Sequence, residues 1–191
     1  LHITLDNFKL RHICVFSINK IMKSKKNIVF LGMMGSGKSL IGRLVSKKLQ
    51  LQFFDIDNII ENETGMKIFE IFEKKGEEFF REIEKSISLK ILKKSKSVIS
   101  LGGGAFQNNE IRKEVLSGNI SIWLKWNYQT LLKRIIDKPH RPLAYNIEKK
   151  ELIELIKKRS KFYKKALYKI NCEDLTKNKI INRILNINEL H

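Results

Sequence analysis

The 191-residue chain is 42% apolar and 30% charged, a balance that suits one globular domain built on one core. Its two cysteines, Cys14 and Cys172, are too few for a disulfide framework, and no C-x-x-C or H-E-x-x-H spacing points to zinc. No stretch reaches the roughly 18 apolar residues of a membrane span. The formal net charge of +18 comes mostly from Lys spread among Glu, Asn and Ile, which reads as solvated surface rather than a nucleic-acid patch. A cytoplasmic, reducing setting is expected, without a membrane or nucleic-acid partner.

Residues 1–23 stand apart from the rest of the chain. Their apolar stretch Ile13–Ile18 is too short for a bilayer and precedes no small-residue cleavage site, so a loosely packed N-terminal extension is expected. Met22 could be an alternative start. From residue 24 onward a single domain is expected. Asn27 to Leu31 is a short apolar run ending at glycine, the pattern of a buried parallel strand. Lys38 to Leu49 comes next, with Ile41, Leu44, Val45 and Leu49 at helical spacing. Gln52 to Asp55 predicts a second strand. Asn58 to Glu63 and Lys67 to Lys75 predict short helices, split at Gly65 and closed at Gly76. A longer helix is expected over Glu77 to Leu92 and a third strand over Ser97 to Leu101. Glu110 to Leu116 reads as a helix capped by Gly118, and Ile120 to Leu124 as a fourth strand. Helices over Tyr128–Ile136 and Lys150–Leu167, a strand over Tyr168–Cys172 and a closing helix over Lys177–Ile187 complete the chain. Alternation of strand and helix predicts a three-layer α/β/α fold around a five-stranded parallel sheet, with ligands at the carboxyl ends of the strands.

Gly32-Met-Met-Gly35-Ser36-Gly37-Lys38-Ser39 matches G-x-x-x-x-G-K-S in full, after a predicted strand and before a predicted helix. Glycines let the backbone curl so that several N–H groups face one phosphate, and the helix N-terminus adds partial positive charge. Lys38 can reach the β- and γ-phosphates, and the Ser39 hydroxyl can join Mg²⁺. No guanine-reading N-K-x-D is present, and the third strand ends without an acid.

The acids available instead are Asp55 and Asp57, on one side if the chain stays extended. One can serve Mg²⁺ through water and the other can accept the proton of an attacking hydroxyl. Asp57 reads equally as the cap of a helix starting at Asn58. Arg81 and Glu84, three apart, share a helical face. Arg81 suits a carboxylate ligand, or it is half of a surface ion pair. Gly102-Gly103-Gly104 after a buried strand points to backbone meeting ligand closely, or to a plain flexible loop. Arg141, between Pro139 and Pro142, suits a lid that closes over ATP, and Arg134 lies a turn and a half earlier. Arg159 sits in a basic helix whose face could simply be exposed.

Together these marks resemble the shikimate kinase family. They are the phosphate loop, Asp55-Ile-Asp57, Gly76-Glu77 with Phe80-Arg81 and Glu84, the triple glycine, Arg141-Pro142-Leu143, and Arg159 with Phe162-Tyr163. The resemblance runs from about Asn27 to Ile187. It implies a nucleoside-monophosphate-kinase-like fold and transfer of phosphate from ATP to shikimate, giving shikimate 3-phosphate on the way to aromatic amino acids. It implies Asp57 on the shikimate hydroxyls as base, Arg81 and Arg159 on the carboxylate, and Gly103 against the ring. Glu84, Gly102 and Gly104 complete the acceptor set. Gly35, Ser36, Gly37, Lys38, Ser39 and Leu40 fall to ATP, with Arg134 by the adenine and Arg141 from a lid over about 137–148. Ser39 and, through water, Asp55 serve Mg²⁺. The family is usually monomeric.

Two departures stand out. Leu40 replaces the family's usual Thr, losing a hydroxyl near the α-phosphate. The region after the last strand, Cys172 to Thr176, lacks the basic residue often found near adenine, with Lys177 just beyond. The competing readings are a gluconate-kinase-like enzyme, a basic nucleic-acid-binding protein with a relic phosphate loop, and a nucleotide sensor without acceptor chemistry.

Overall fold

The computed structural model describes residues 26–136 and 148–187. The N-terminal extension, Met22, Arg141 and all of the expected lid except Glu148 lie outside the described residues. Five strands, β1 Ile28–Leu31, β2 Gln52–Asp55, β3 Ser97–Ser100, β4 Ile120–Lys125 and β5 Tyr168–Asn171, pair in parallel in the order β2-β3-β1-β4-β5. Seven α-helices connect and close them among the described residues: α1 Lys38–Leu49, α2 Ile56–Thr64, α3 Ile68–Leu92, α4 Asn109–Gly118, α5 Tyr128–Ile136, α6 Lys149–Tyr163 and α7 Lys177–Asn186.

The period of two along each strand divides the core. Ile28 and Phe30 of β1 point to α1 and α7, packing with Ile41, Val45, Ile181 and Ile184. Val29 and Leu31 point the other way, to Ile60, Phe80, Ile87 and Ile111 on α2, α3 and α4. A third cluster joins Met33 of the phosphate loop to Leu131 and Ile135 of α5 and Leu152 and Ile156 of α6. The phosphate loop is therefore anchored to both the sheet and the α5–α6 pair.

Three expected boundaries move by two residues or more, each for a local reason. Helix α2 starts at Ile56, with Asp55 as its N-cap, so Asp57 lies in the first turn and is not the cap. Helix α4 runs through Gly118, and Asn119 ends it by donating from its amide to the Glu114 carbonyl at 3.0 Å. Helix α6 ends at Tyr163, short of the expected Leu167, because Lys165 and Ala166 donate to carbonyls three residues back and Leu167 N–H is drawn to Ser121 Oγ at 2.9 Å. The break expected at Gly76 is present inside α3, where φ is 83° and ψ 170°. A side chain would strain that backbone, so glycine marks the turn between two helical segments.

Asn27, 1% exposed, joins elements far apart in sequence. Its side-chain amide donates to the carbonyls of Leu92 at 3.0 Å and Lys94 at 2.7 Å, and to Asn119 Oδ1 at 2.8 Å. Its Oδ1 accepts from Ser97 N–H at 3.1 Å. It thus sets β1 against the end of α3, the start of β3 and the entry to β4. Asn27→Ala orphans these buried groups and should destabilise the fold by about 2–4 kcal/mol, read as a lower denaturant midpoint at unchanged slope.

Candidate active site

The phosphate loop leaves β1 at Gly32, whose φ of 146° is open to glycine alone; a Cβ there would stand 2.8 Å from Ser36 Oγ and 3.0 Å from the Leu124 carbonyl. The loop is held from behind through its carbonyls. Lys38 Nζ donates to Gly32 O at 2.9 Å and Met33 O at 3.2 Å, Arg134 to Gly35 O at 3.4 Å, and the Trp126 indole N–H to Ser36 O at 2.9 Å. With the carbonyls engaged, the N–H groups can face an anion at the start of α1. Ser39 is exposed at that helix start, and Leu40 is 51% exposed.

Asp55 ends β2, buried, and Asp57 follows in α2. The expectation that the two share one side of an extended strand does not hold, because the helix begins between them. Asp57 still faces Lys38, Asp55, Glu84 and Glu61 electrostatically. Burial pushes its pKa up to about 6; Lys38 pulls it down, and the three other carboxylates add to the rise.

Arg81 and Glu84 meet as their spacing predicts, with Nη1 to Oε2 at 2.7 Å. This is no surface pair, since the Glu84 side chain is 3% exposed. The remaining edge of the guanidinium, Nε and Nη2, donates to Glu77 Oε1 at 3.1 and 3.0 Å. Burial opposes the Arg81 charge, but Glu84 and Glu77 outweigh it and raise its pKa. Burial raises the Glu84 pKa, and Arg81 and Arg159 counter it.

Arg159 is 4% exposed, whereas Lys157, Lys158 and Lys161 around it are exposed, so the exposed-face reading does not apply to it. Its Nη1 donates to Met33 Sδ at 3.7 Å, its Nε has no hydrogen-bond partner, and it makes no ion pair among the described residues. Burial lowers its pKa and nearby Arg81 adds to that, although an arginine stays charged.

The triple glycine lies between these groups. A Cβ on Gly102 would strike Glu84 Oε1 and come within 2.9 Å of Asp57 Oδ1. One on Gly103 would come 3.3 Å from Met34 N and 3.4 Å from Arg159 Nη1, and one on Gly104 2.5 Å from Arg81 Nη1. Each glycine makes room for a different charged side chain, which excludes the plain-loop reading. The Gly103 carbonyl accepts the Tyr163 hydroxyl, and Arg112 holds the following turn through Phe106 O at 3.1 Å and Gln107 O at 2.8 Å. A cleft of about 480 Å³ opens beside them, lined by Glu77, Arg81, Glu84, Gly104, Asn108 and Arg159 among others.

Tyr163 and Glu77 are among the family marks in the sequence but carry no role there; their spacing gives one, since Tyr163 is four residues after Arg159 and shares its face, as Glu77 does with Arg81. Trp126 and Glu173 are absent from that reading. Trp126, just past β4, had no signal. In the Cys172–Thr176 stretch an acid takes part instead of a base: Glu173 accepts from Asn127 N–H at 2.9 Å and Thr130 Oγ1 at 2.6 Å, fixing the start of α5.

A parallel sheet of this order, with a phosphate loop after β1 and an acid at the end of β2, defines a P-loop kinase of the nucleoside-monophosphate-kinase type. The shikimate kinase family model matches residues 34–188. The shikimate kinase of Bartonella quintana is 39% identical over 165 residues, covering 84% of this chain and 79% of its own. That of Persephonella marina is 39% identical over 160 residues, covering 84% and 97%. The solved shikimate kinase of Acinetobacter baumannii in complex with shikimate aligns with a TM-score of 0.80 at 31% identity, covering 85% of this chain and 92% of that one. More distant structures, a deoxyadenosine kinase from M. mycoides at 21% identity and a gluconokinase from Sinorhizobium meliloti at 13%, share the fold with TM-scores of 0.60 and 0.52. The chain belongs to the shikimate kinase family of ATP-dependent transferases.

Gly104 has ordinary backbone angles, φ −100° and ψ −21°, so a substitution there acts through space alone. Gly104→Ala should displace the Arg81 guanidinium and raise the acceptor KM by roughly tenfold, with the KM for ATP nearly unchanged in steady-state assays.

Proposed function

We propose that the protein transfers the γ-phosphate of ATP to the 3-hydroxyl of shikimate, and that one observation carries the acceptor side: a buried Arg159 with no ion-pair partner among the described residues, beside Arg81 and the triple glycine. A guanidinium out of water is costly unless an anion joins it. A carboxylate meeting Arg159 and the edge of Arg81 supplies that anion, with Glu84 holding Arg81 in place. The backbone of Gly102, Gly103 and Gly104 then lies against the ring of the acceptor.

Asp57 accepts the proton of the hydroxyl as its oxygen attacks the γ-phosphorus. The bond from that phosphorus to the β–γ bridging oxygen breaks, and ADP leaves. Lys38 moves from the Gly32 and Met33 carbonyls to the phosphates and balances their charge. The N–H groups of Gly35, Gly37, Lys38, Ser39 and Leu40 cradle the phosphates, with Ser36 closing the loop beside them through its N–H to Met33 O, and Arg134 lies by the nucleotide. The resemblance adds Arg141 to this side. Among the described residues no three acids, histidines or cysteines cluster as a metal site. One hydroxyl, Ser39, and one carboxylate, Asp55, suit Mg²⁺, a hard ion that is held largely by phosphate oxygens and water. Bound there, Mg²⁺ would neutralise charge on the β- and γ-phosphates. No helix among the described residues is long and apolar enough to cross a membrane. We read the enzyme as working in the cytoplasm, on its ATP pool.

ADP release from ATP and Mg²⁺ tests this reading, and it should depend strongly on shikimate and not on gluconate. Release that ignores shikimate would defeat it. Arg159→Ala should raise the shikimate KM by roughly 50-fold or more, while the ATP KM stays within about twofold. Equal losses for both substrates would make Arg159 structural.

Asp57 must be ionised to act as base, so kcat/KM should fall on the acid side of pH about 6. Asp57→Asn should keep binding and lose turnover by roughly 10²–10⁴-fold. Its folded pKa lies above the unfolded value of 3.8, so the native state binds the extra proton between these values. Stability therefore declines as pH rises through that window. Asp57→Asn should be more stable than the parent by about 1–3 kcal/mol at pH 8, a gain that vanishes near pH 4 in denaturant titrations.

A further inference from the structure

We propose that Trp126 is a positioning residue of the nucleotide site, acting at once on the phosphate loop and on Arg134. This rests on the nucleotide side of the proposed function and deepens it. Trp126 follows β4 directly, half-buried between the cluster under α1 and α7 and the cluster joining α5 to α6. Its backbone neighbour is fixed as well, because Asn127 N–H donates to Glu173.

From that seat the indole makes two different contacts. Its edge donates N–H to the Ser36 carbonyl at 2.9 Å, at the crest of the phosphate loop. Its face carries the Arg134 guanidinium, with Cζ 3.7 Å from the ring centroid. That guanidinium in turn donates to the Gly35 carbonyl at 3.4 Å. Two consecutive loop carbonyls are thus held by one aromatic residue, the first through Arg134 and the second directly.

The arrangement has a physical purpose. A peptide group whose carbonyl is tied down presents the N–H on its opposite side in a fixed direction. Holding the Ser36 carbonyl therefore aims the N–H of Gly37 before any phosphate arrives, while the Gly35 carbonyl fixes a peptide whose Ser36 N–H closes the loop on the Met33 carbonyl at 3.1 Å. A long arginine on a short helix has many rotamers, and stacking on the ring selects a flat one. Both effects reduce the ordering cost when a nucleotide binds. Phe at this position would keep the stacking surface and lose the donor, and Leu would lose both.

Titration calorimetry with a non-hydrolysable ATP analogue, together with KM values for both substrates, tests the assignment in the full-length protein. Trp126→Leu should weaken the nucleotide by roughly fivefold to thirtyfold, and Trp126→Phe by roughly twofold to fivefold. The shikimate KM should move by less than about twofold in either. A Leu variant whose nucleotide affinity stays within about twofold of the parent would overturn the proposal, as would equal weakening of both substrates in both variants. If shikimate proves not to be the acceptor, the calorimetric arm still decides the role of Trp126 on its own.

Discussion

Burying the Arg159 guanidinium is the constraint around which the rest of the site is arranged. It comes from the C-terminal third of α6, on the face that also carries Ile156 and Tyr163 into the interior. A charge cannot sit there without compensation, and the neighbours supply only part of it. The Met33 sulfur is a weak acceptor, and the Glu84 carboxylate is committed to Arg81. Space for the group comes from Gly103, whose carbonyl is fixed by Tyr163 four residues further along the same helix. One helical face thus delivers both the cation and the clamp that keeps the backbone clear of it.

Arg81 solves the same problem differently. It sits nearer solvent, and two glutamates of its own helix hold it, Glu77 on the outer edge and Glu84 inside. The kink at Gly76 lies immediately before Glu77, so the Glu77–Arg81–Glu84 face belongs wholly to the second segment of α3. The two arginines differ as partners for an anion. Arg159 is rigid and short of acceptors; Arg81 must release Glu77 to offer its outer edge.

Much of the fold was legible in the sequence, because buried parallel strands are short apolar runs and their helices have a clear period. All five strands and the break at Gly76 follow from those signals. The strand order does not, since it depends on pairings such as Ile28 with Val98 that no local pattern encodes. The start of α2 was misjudged by two residues because an Asp at the end of a strand and an Asp inside a first turn look alike. In the site, the phosphate loop was plain from spacing and context. The roles of Arg81, Asp57 and Arg159 came from family resemblance, since 78 residues separate Arg81 from Arg159 along the chain. Trp126 and Asn27 were invisible for the opposite reason: each is a single residue whose meaning lies in partners as much as 92 positions away.

The stretch Gly32–Met34 belongs to two neighbourhoods. Its carbonyls receive Lys38, while the Met33 sulfur touches Arg159 and the Met34 amide lies beneath Gly103. In the proposed assignment, donor and acceptor pockets therefore share a wall built from three consecutive residues. A substrate that shifted that partition would change the affinity for the other, and thermodynamics requires such an influence to be mutual. Any cooperation between the two ligands would then be a matter of common masonry, with no need for a signal passed across the domain.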